Sequence, residues 1–134
     1  MNILLIDDDE DCLDSLVNAL ESAGHWCDKF TFPGEAMEAY GQNQYDVVIT
    51  DLNMSGMNGI QVLKRIRYLN PEAKVIINAG HGDLSTAIAA VNNGAYAFFV
   101  KPADLLELIE TLEGIELEIT EQMLILSMPG WLWI

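Results

Sequence analysis

DVVITDLNMSGMNG, from Asp46 to Gly59, joins a short apolar run to a loop rich in asparagine and glycine. Val47–Thr50 consists of β-branched residues, which predicts a buried strand. The strand is followed directly by Asp51, whose side chain is a carboxylate. The segment therefore raises the question of why a negative charge stands at the end of a buried strand.

Similar apolar runs recur on both sides of this segment and alternate with stretches of helical periodicity. The other predicted strands are Ile3–Ile6, Trp26–Thr31, Val75–Ile77 and Ala97–Val100. The first predicted helix has acidic residues in its first turn, carries Leu13, Leu16, Val17 and Leu20 at helical spacing, and is closed by Gly24. The other predicted helices cover Gly34–Tyr40, Ile60–Leu69, Leu84–Asn92 and a segment from Leu105 to Leu112. Five strands alternating with five helices predict an α/β fold with a doubly wound, five-stranded parallel sheet.

Composition limits the possible functions. The 134 residues suffice for one domain, and the formal net charge of −15 disfavours direct binding to nucleic acid or to a membrane surface. Cys12 and Cys27 lack the spacing of a zinc or redox motif. The absence of a basic leader and of a long apolar span predicts a cytoplasmic location.

Charged side chains follow three of the predicted strands. Asp7 and Asp8 follow the first, Asp51 the third and Lys101 the fifth, so they converge at the edge of the sheet where ligands bind. Three neighbouring carboxylates repel one another unless a cation lies among them, and oxygen ligands favour Mg²⁺. Lys101 is superfluous for holding the metal but suits phosphoryl transfer to Asp51.

Helix capping is the competing explanation for acidic residues at such positions, and it is preferred for Asp9, Glu10 and Asp11. For Lys101 the competing explanation is a solvated surface lysine. Lys101, however, ends a buried strand and is followed by Pro102, and a cis peptide bond between the two residues is a way to fix the direction of the lysine side chain.

Over nearly all of residues 1–113 the chain resembles the receiver domain of two-component response regulators. The resemblance rests on ILLIDDDED near the start, DVVITDLNMSGMNG around Asp51, and AGHGDLSTAIAAVNNGAYAFFVKP further along. It implies a flavodoxin-like (βα)5 fold and a phosphoacceptor protein that takes a phosphoryl group from a histidine kinase or phosphotransfer protein. It implies no enzyme activity beyond Mg²⁺-dependent self-phosphorylation and self-dephosphorylation.

The resemblance also implies individual roles. Asp51 is the expected phosphoacceptor, and Lys101 is expected to pair with it and then with the phosphoryl oxygens. Asp8 and Asp51 are expected to bind Mg²⁺ directly, Asp7 mostly through water, and Asn53 through its backbone carbonyl.

Phe98 falls on the aromatic switch position of the family, and Asn53 and His81 fall on positions that tune dephosphorylation. His81 as a plain loop residue is an equally good interpretation. Ser55 replaces the usual proline after Asp51, and Ala79 replaces the usual Thr or Ser that bonds a phosphoryl oxygen. Losing such a bond to a charged group costs about 1.5–3 kcal/mol, which predicts phosphorylation with an attenuated conformational response.

The last segment of the chain is unusually apolar. We expect a receiver domain over residues 1–114 and an extension over 115–134 that acts as a homodimerisation segment or as a truncated linker. Its alternation predicts a strand, whereas the spacing of its apolar residues also fits a helix prolonged past Gly114. Folding back onto the domain is a third possibility.

Two other functions compete with phosphosignalling. A phosphotransferase of the haloacid dehalogenase type needs a second acid two residues after the nucleophile, where Asn53 stands. A receiver-like interaction module that works without phosphate is supported only by Ala79. A flavin protein is disfavoured because no phosphate-binding loop follows the first strand.

Overall fold

The computed structural model describes residues 1–101 and 105–133. Pro102, and with it the predicted cis bond, lies outside the described residues. Strands and helices alternate along the residues that the structure describes. In chain order they are β1 (Asn2–Ile6), α1 (Glu10–Ser22), β2 (Trp26–Phe30), α2 (Pro33–Gln42), β3 (Val47–Thr50), α3 (Gly59–Leu69), β4 (Val75–Ala79), α4 (Leu84–Asn92), β5 (Ala97–Val100) and α5 (Leu105–Ser127), followed by a short 3₁₀ turn at Gly130–Trp133.

The five strands form one parallel sheet in the order β2-β1-β3-β4-β5. The chain moves outward from β1 to β2 and then returns past β1 to β3, so the strand order reverses between β1 and β3. Right-handed crossovers then place α1 on one face of the sheet and α2, α3 and α4 on the other. The predicted doubly wound parallel fold is confirmed.

Both faces of the central strands are buried, as expected of a parallel sheet. Leu4 and Ile6 of β1 face a core cluster that also contains side chains of α2, α3 and α4. Ile3 and Leu5, which alternate with them, have no exposed surface either. The all-apolar composition of these strands follows from this double coverage.

Capping residues set the starts of three helices. Asp9 caps α1 by accepting from the backbone N–H groups of Asp11 and Cys12, which confirms the capping interpretation for Asp9. Asn58 and Gln61 form a reciprocal capping box at the start of α3. Asp83 caps α4, as predicted, through a 2.7 Å bond from the N–H of Thr86.

The chain divides into two compact units, Met1–Asp104 and Leu105–Ile134, the second consisting of α5 and the terminal turn. Of the two conformations considered for the extension, the structure shows the helix, since α5 continues through Gly114 without interruption. The boundary predicted after residue 114 falls inside α5, and a separate role for residues 115–134 stays a prediction. Across the described parts of the chain, no helix combines the length and the apolar character needed to cross a membrane.

Candidate functional site

The acidic residues that follow β1 and β3 meet at the point where the strand order reverses. One carboxylate oxygen from each of Asp7, Asp8 and Asp51 lies within 4.8 Å of the others. Asp7 and Asp51 are buried, with 7% and 8% of their surface exposed, whereas Asp8 is exposed. The sequence therefore predicted correctly that these three side chains come together.

Backbone hydrogen bonds hold the two buried carboxylates in place. The N–H of Asp51 donates to the carbonyl of Ile6 at 2.8 Å, which ties the end of β3 to the end of β1. The N–H of Leu52 donates to Oδ1 of Asp51 at 2.8 Å, and the N–H of Asp9 donates to Oδ1 of Asp7 at 2.9 Å. Both carboxylates are therefore oriented by the chain that follows them.

Lys101 brings a positive charge to the same place from the end of β5. Its Nζ lies 2.5 Å from Oδ2 of Asp7 and 3.5 Å from Oδ1 of Asp51. The ammonium thus bridges the two buried acids. The sequence predicted a pair with Asp51, but the nearer partner of Lys101 is Asp7. The backbone N–H of Lys101 donates to the carbonyl of Ala79 at 2.6 Å, which anchors the lysine to β4.

The surroundings of Asp51 and Lys101 shift the pKa values of these two side chains. Burial raises the pKa of Asp51, and the charge of Asp7 raises it further, whereas Lys101 and the N–H of Leu52 lower it. Burial alone would lower the pKa of Lys101, but its hydrogen bond to Asp7 and the charges of both acids raise it above its usual value. The lysine is therefore firmly cationic, and the carboxylates are crowded.

The remaining residues singled out from the sequence differ in their exposure and surroundings. Asn53 is exposed two residues after Asp51, and His81 is exposed in the loop after β4. Ala79 ends β4 and is fully buried. Phe98 is partly buried and packs against the core cluster that contains Ala79.

One site residue was missed by the sequence argument. Gly59, the first residue of α3, is buried, and its N–H donates to the carbonyl of Leu52 at 2.8 Å. A Cβ at this position would lie only 2.4 Å from the carbonyl oxygen of Asp51. Gly59 therefore lets α3 begin directly against the backbone of Asp51. The feature of the sequence that could have pointed to Gly59 is its position directly after the helix cap Asn58.

The donor set fits a hard divalent cation. Carboxylate oxygens are the ligands that Mg²⁺ prefers, and a metal of this kind keeps several waters, which suits a site with one exposed acid. A parallel α/β domain with three acids and one lysine at its switch point belongs to the class of proteins that bind ligands beyond the carboxyl ends of the strands.

Residues 3–113 match the family described as the response regulator receiver domain. The chain belongs to this family, which confirms the resemblance drawn from its motifs. It is a receiver domain of two-component response regulators, with the flavodoxin-like fold of that family.

Curated relatives support the assignment. The chain is 36% identical over 101 residues to the C4-dicarboxylate transport transcriptional regulatory protein DctD of Rhizobium meliloti (strain 1021), covering 75% of this chain and 22% of DctD. It is 35% identical over 111 residues to the DNA-binding transcriptional regulator NtrC of Escherichia coli (strain K12), covering 83% of this chain and 24% of NtrC. The chain thus spans about a quarter of the length of these relatives.

Solved structures show the same fold. A response regulator receiver domain protein from Clostridium thermocellum superimposes with a TM-score of 0.83 at 32% identity, covering 92% of this chain and 98% of that one. The response regulator TrrA from Thermotoga maritima, in complex with Mg²⁺ and BeF, superimposes with a TM-score of 0.78 at 26% identity, covering 85% and 97%.

Proposed function

We propose that Asp51 accepts a phosphoryl group from the phosphohistidine of a histidine kinase or phosphotransfer protein. The observation that carries this proposal is the bridging position of Lys101, 2.5 Å from Asp7 and 3.5 Å from Asp51. A lysine in that place lies beside the oxygens onto which charge moves during phosphoryl transfer. Self-phosphorylation from small phosphodonors and self-dephosphorylation, assisted by Asn53 and His81, form part of the same proposal.

The two oxygens of Asp51 are not equivalent. The N–H of Leu52 and the ammonium of Lys101 are both nearest to Oδ1. We assign Oδ2 as the attacking atom: its bond to phosphorus forms while the phosphorus–nitrogen bond of the donor histidine breaks, and the electron pair of that bond returns to the imidazole. Lys101 favours the deprotonated, reactive carboxylate because it opposes the rise in the pKa of Asp51 that burial causes.

Asp7, Asp8 and Asp51 would hold Mg²⁺, together with the backbone carbonyl of Asn53. When bound, the ion would neutralise charge on the phosphoryl oxygens. The assembly of all three acids beside Lys101 favours a phosphate-dependent role over the alternative of an interaction module that works without phosphate.

Mass spectrometry after exposure to acetyl phosphate and Mg²⁺ tests this function. One phosphoryl group, sensitive to hydroxylamine, should appear on the wild type and be absent from Asp51→Asn. Asp46→Asn is the matched control because Asp46 precedes the same strand at the opposite edge of the sheet and should not affect labelling. Labelling of Asp51→Asn at the wild-type level would refute the assignment.

The end of α5 supports a second proposal, that the chain forms a homodimer through residues 115–134. Four consecutive apolar side chains, Met123–Leu126, are 49–73% exposed, so apolar surface surrounds the helix on all sides. A helix that is apolar all round is stable only when it is covered. A second copy is a suitable cover because residues 122–133 carry no charge, so two copies can approach there without repulsion.

Sedimentation of the full chain tests the dimer. Ile125→Glu should yield a monomer because a charge cannot be buried unpaired in the interface. Tyr68→Glu, at another apolar side chain that is 86% exposed, is the control and should leave the dimer intact. A monomeric wild type would contradict the proposal.

A cytoplasmic location, without direct contact to nucleic acid or membrane, completes the proposed function.

A further inference from the structure

Asn78, near the end of β4, carries a side-chain oxygen that has no hydrogen-bond partner. Its Oδ1 is buried, and no donor among the described residues reaches it. A buried oxygen of this kind is costly, because it has lost its hydrogen bonds to water without gaining others in the protein. Buried polar atoms are nearly always paired, so an exception calls for a physical reason.

Asn78 lies level with the candidate phosphoacceptor. The pairing of β3 with β4 places Thr50 beside Ile77. One step further along both strands, Asp51 therefore lies beside Asn78. Neighbouring strands are about 4.8 Å apart, which is close enough for one ligand to contact both side chains.

Asn78 and Asp51 also point to the same face of the sheet. Ile77 and Ala79 belong to the core cluster on one face, and successive side chains of a strand alternate between faces, so Asn78 points to the other face. Val48 belongs to the same core cluster and lies three positions before Asp51. By the same alternation, Asp51 points away from this cluster, as Asn78 does.

The side chain of Lys101 has to cross β4 on this face. Lys101 follows β5, whereas its partners Asp51 and Asp7 follow β3 and β1, and β4 lies between β5 and β3. The ammonium ends 3.5 Å from Oδ1 of Asp51, the carboxylate beside Asn78. An ammonium has three N–H donors, and among the described residues the two acids account for two of them. One N–H of Lys101 therefore remains for the oxygen that lacks a donor.

We propose that Asn78 is a positioning residue for phosphoryl transfer and that its Oδ1 accepts the third N–H of Lys101. This inference rests on the proposed function. A phosphoryl group on Oδ2 of Asp51 carries about two negative charges in place of one, so it attracts the ammonium from Asp7 towards Asp51. Because the strands lie in the order β1-β3-β4, the same direction brings the ammonium closer to Asn78. The hydrogen bond then holds Lys101 beside the oxygens on which charge develops.

Asn78→Leu tests this role, because leucine has a similar size but no polar atom. Removing an unpaired oxygen should leave the midpoint of urea unfolding unchanged or raise it. The rate at which acetyl phosphate and Mg²⁺ label Asp51 should nevertheless fall about ten-fold, the lower end of what a hydrogen bond to a charged group contributes. Ile76→Val is the matched control, since it shortens a fully buried side chain on the same face of β4. It should lower the midpoint and leave the labelling rate unchanged.

NMR spectroscopy of the full chain provides a second readout that a purely structural role would not change. Beryllofluoride and Mg²⁺ mimic the phosphoryl group, and the Asp51 amide reports their binding. When they are added, the Cγ signal of Asn78 should move downfield, because its carbonyl oxygen gains a charged donor.

The outcomes separate this inference from the proposed function. An Asn78→Leu variant that is labelled as fast as the wild type overturns the role of Asn78 and leaves the proposed function intact. A Cγ signal that stays in place while the Asp51 amide responds has the same meaning. A wild type that acetyl phosphate does not label refutes both ideas. If Asn78→Leu does not fold, Asn78→Ala takes its place, since alanine fits any space that asparagine fills, and the same loss of rate is expected.

Discussion

Replacing Gly59 with alanine should displace the backbone of the candidate phosphoacceptor. The new Cβ would lie 2.4 Å from the carbonyl oxygen of Asp51 and 2.9 Å from Cα of Leu52. Ordinary van der Waals contact begins at 3.4 Å, so α3 and the loop after β3 must separate by about 1.0 Å, the difference between 3.4 and 2.4 Å. Both atoms belong to the backbone and cannot rotate away as a side chain can.

The energetic cost has two parts. Overpacking a well-packed region costs about 1–3 kcal/mol. The 2.8 Å hydrogen bond from the N–H of Gly59 to the carbonyl of Leu52 is weakened by the same separation, and a bond of this type contributes about 0.5–1.5 kcal/mol. We therefore expect the free energy of unfolding to fall by about 2–4 kcal/mol, with a shifted NMR signal for the Asp51 amide.

Urea unfolding followed by circular dichroism measures this change. Gly41→Ala is the matched control because Gly41 lies in α2 with open space around the added methyl group. There alanine should increase stability by up to about 1 kcal/mol, since glycine loses more backbone entropy in a helix. Stabilities of the two variants within about 0.5 kcal/mol of each other would refute the steric argument.

Three further predictions concern other parts of the chain. Ala79→Thr inserts a larger side chain at a fully buried position and should lower the free energy of unfolding by about 1–3 kcal/mol. After phosphodonor treatment, the same variant should show a stronger structural change and an altered phosphate lifetime. An unchanged structural response and lifetime would show that Ala79 does not attenuate the response. Asn58→Ala removes the cap of α3 and should cost about 1 kcal/mol in urea unfolding, whereas Asn58→Asp should retain most of the stability. Burial raises the pKa of the Cys27 thiol to about 11 from a usual 9.0, which lowers the fraction of reactive thiolate at pH 9 about fifty-fold. In a Cys12→Ser background at this pH, alkylation of Cys27 should therefore be about fifty-fold slower in the folded chain than in the urea-unfolded chain. Equal rates would contradict the burial effect.

Much of the fold was predictable because local signals agreed with tertiary structure. The bounds of β3 and β5 were predicted as the structure shows them, since each is a short apolar run between clear breaks. The start of α4 was marked by its cap, Asp83. By contrast, β4 continues two residues beyond the predicted Val75–Ile77, through Asn78 to Ala79, because strand pairing with β5 overrides the polar character of Asn78.

The candidate site was predictable in its members but not in its geometry. Strand order alone brings Asp7, Asp51 and Lys101 to one edge of the sheet. The nearer approach of Lys101 to Asp7 depends on where β5 ends relative to β1, which no local pattern records. The close contacts of Gly59 were missed for the same reason, because the atoms they involve belong to a different segment of the chain.

The continuity of α5 has a geometric consequence. Its 23 residues correspond to a rod of about 34 Å and roughly six turns. A segment that follows Ser127 would therefore lie at that distance from Leu105 along the helix axis. The number of residues in the helix would also fix its rotation about that axis. Inserting one residue near Glu116 would turn the apolar end by about 100°, so spacing in this helix governs direction as well as reach.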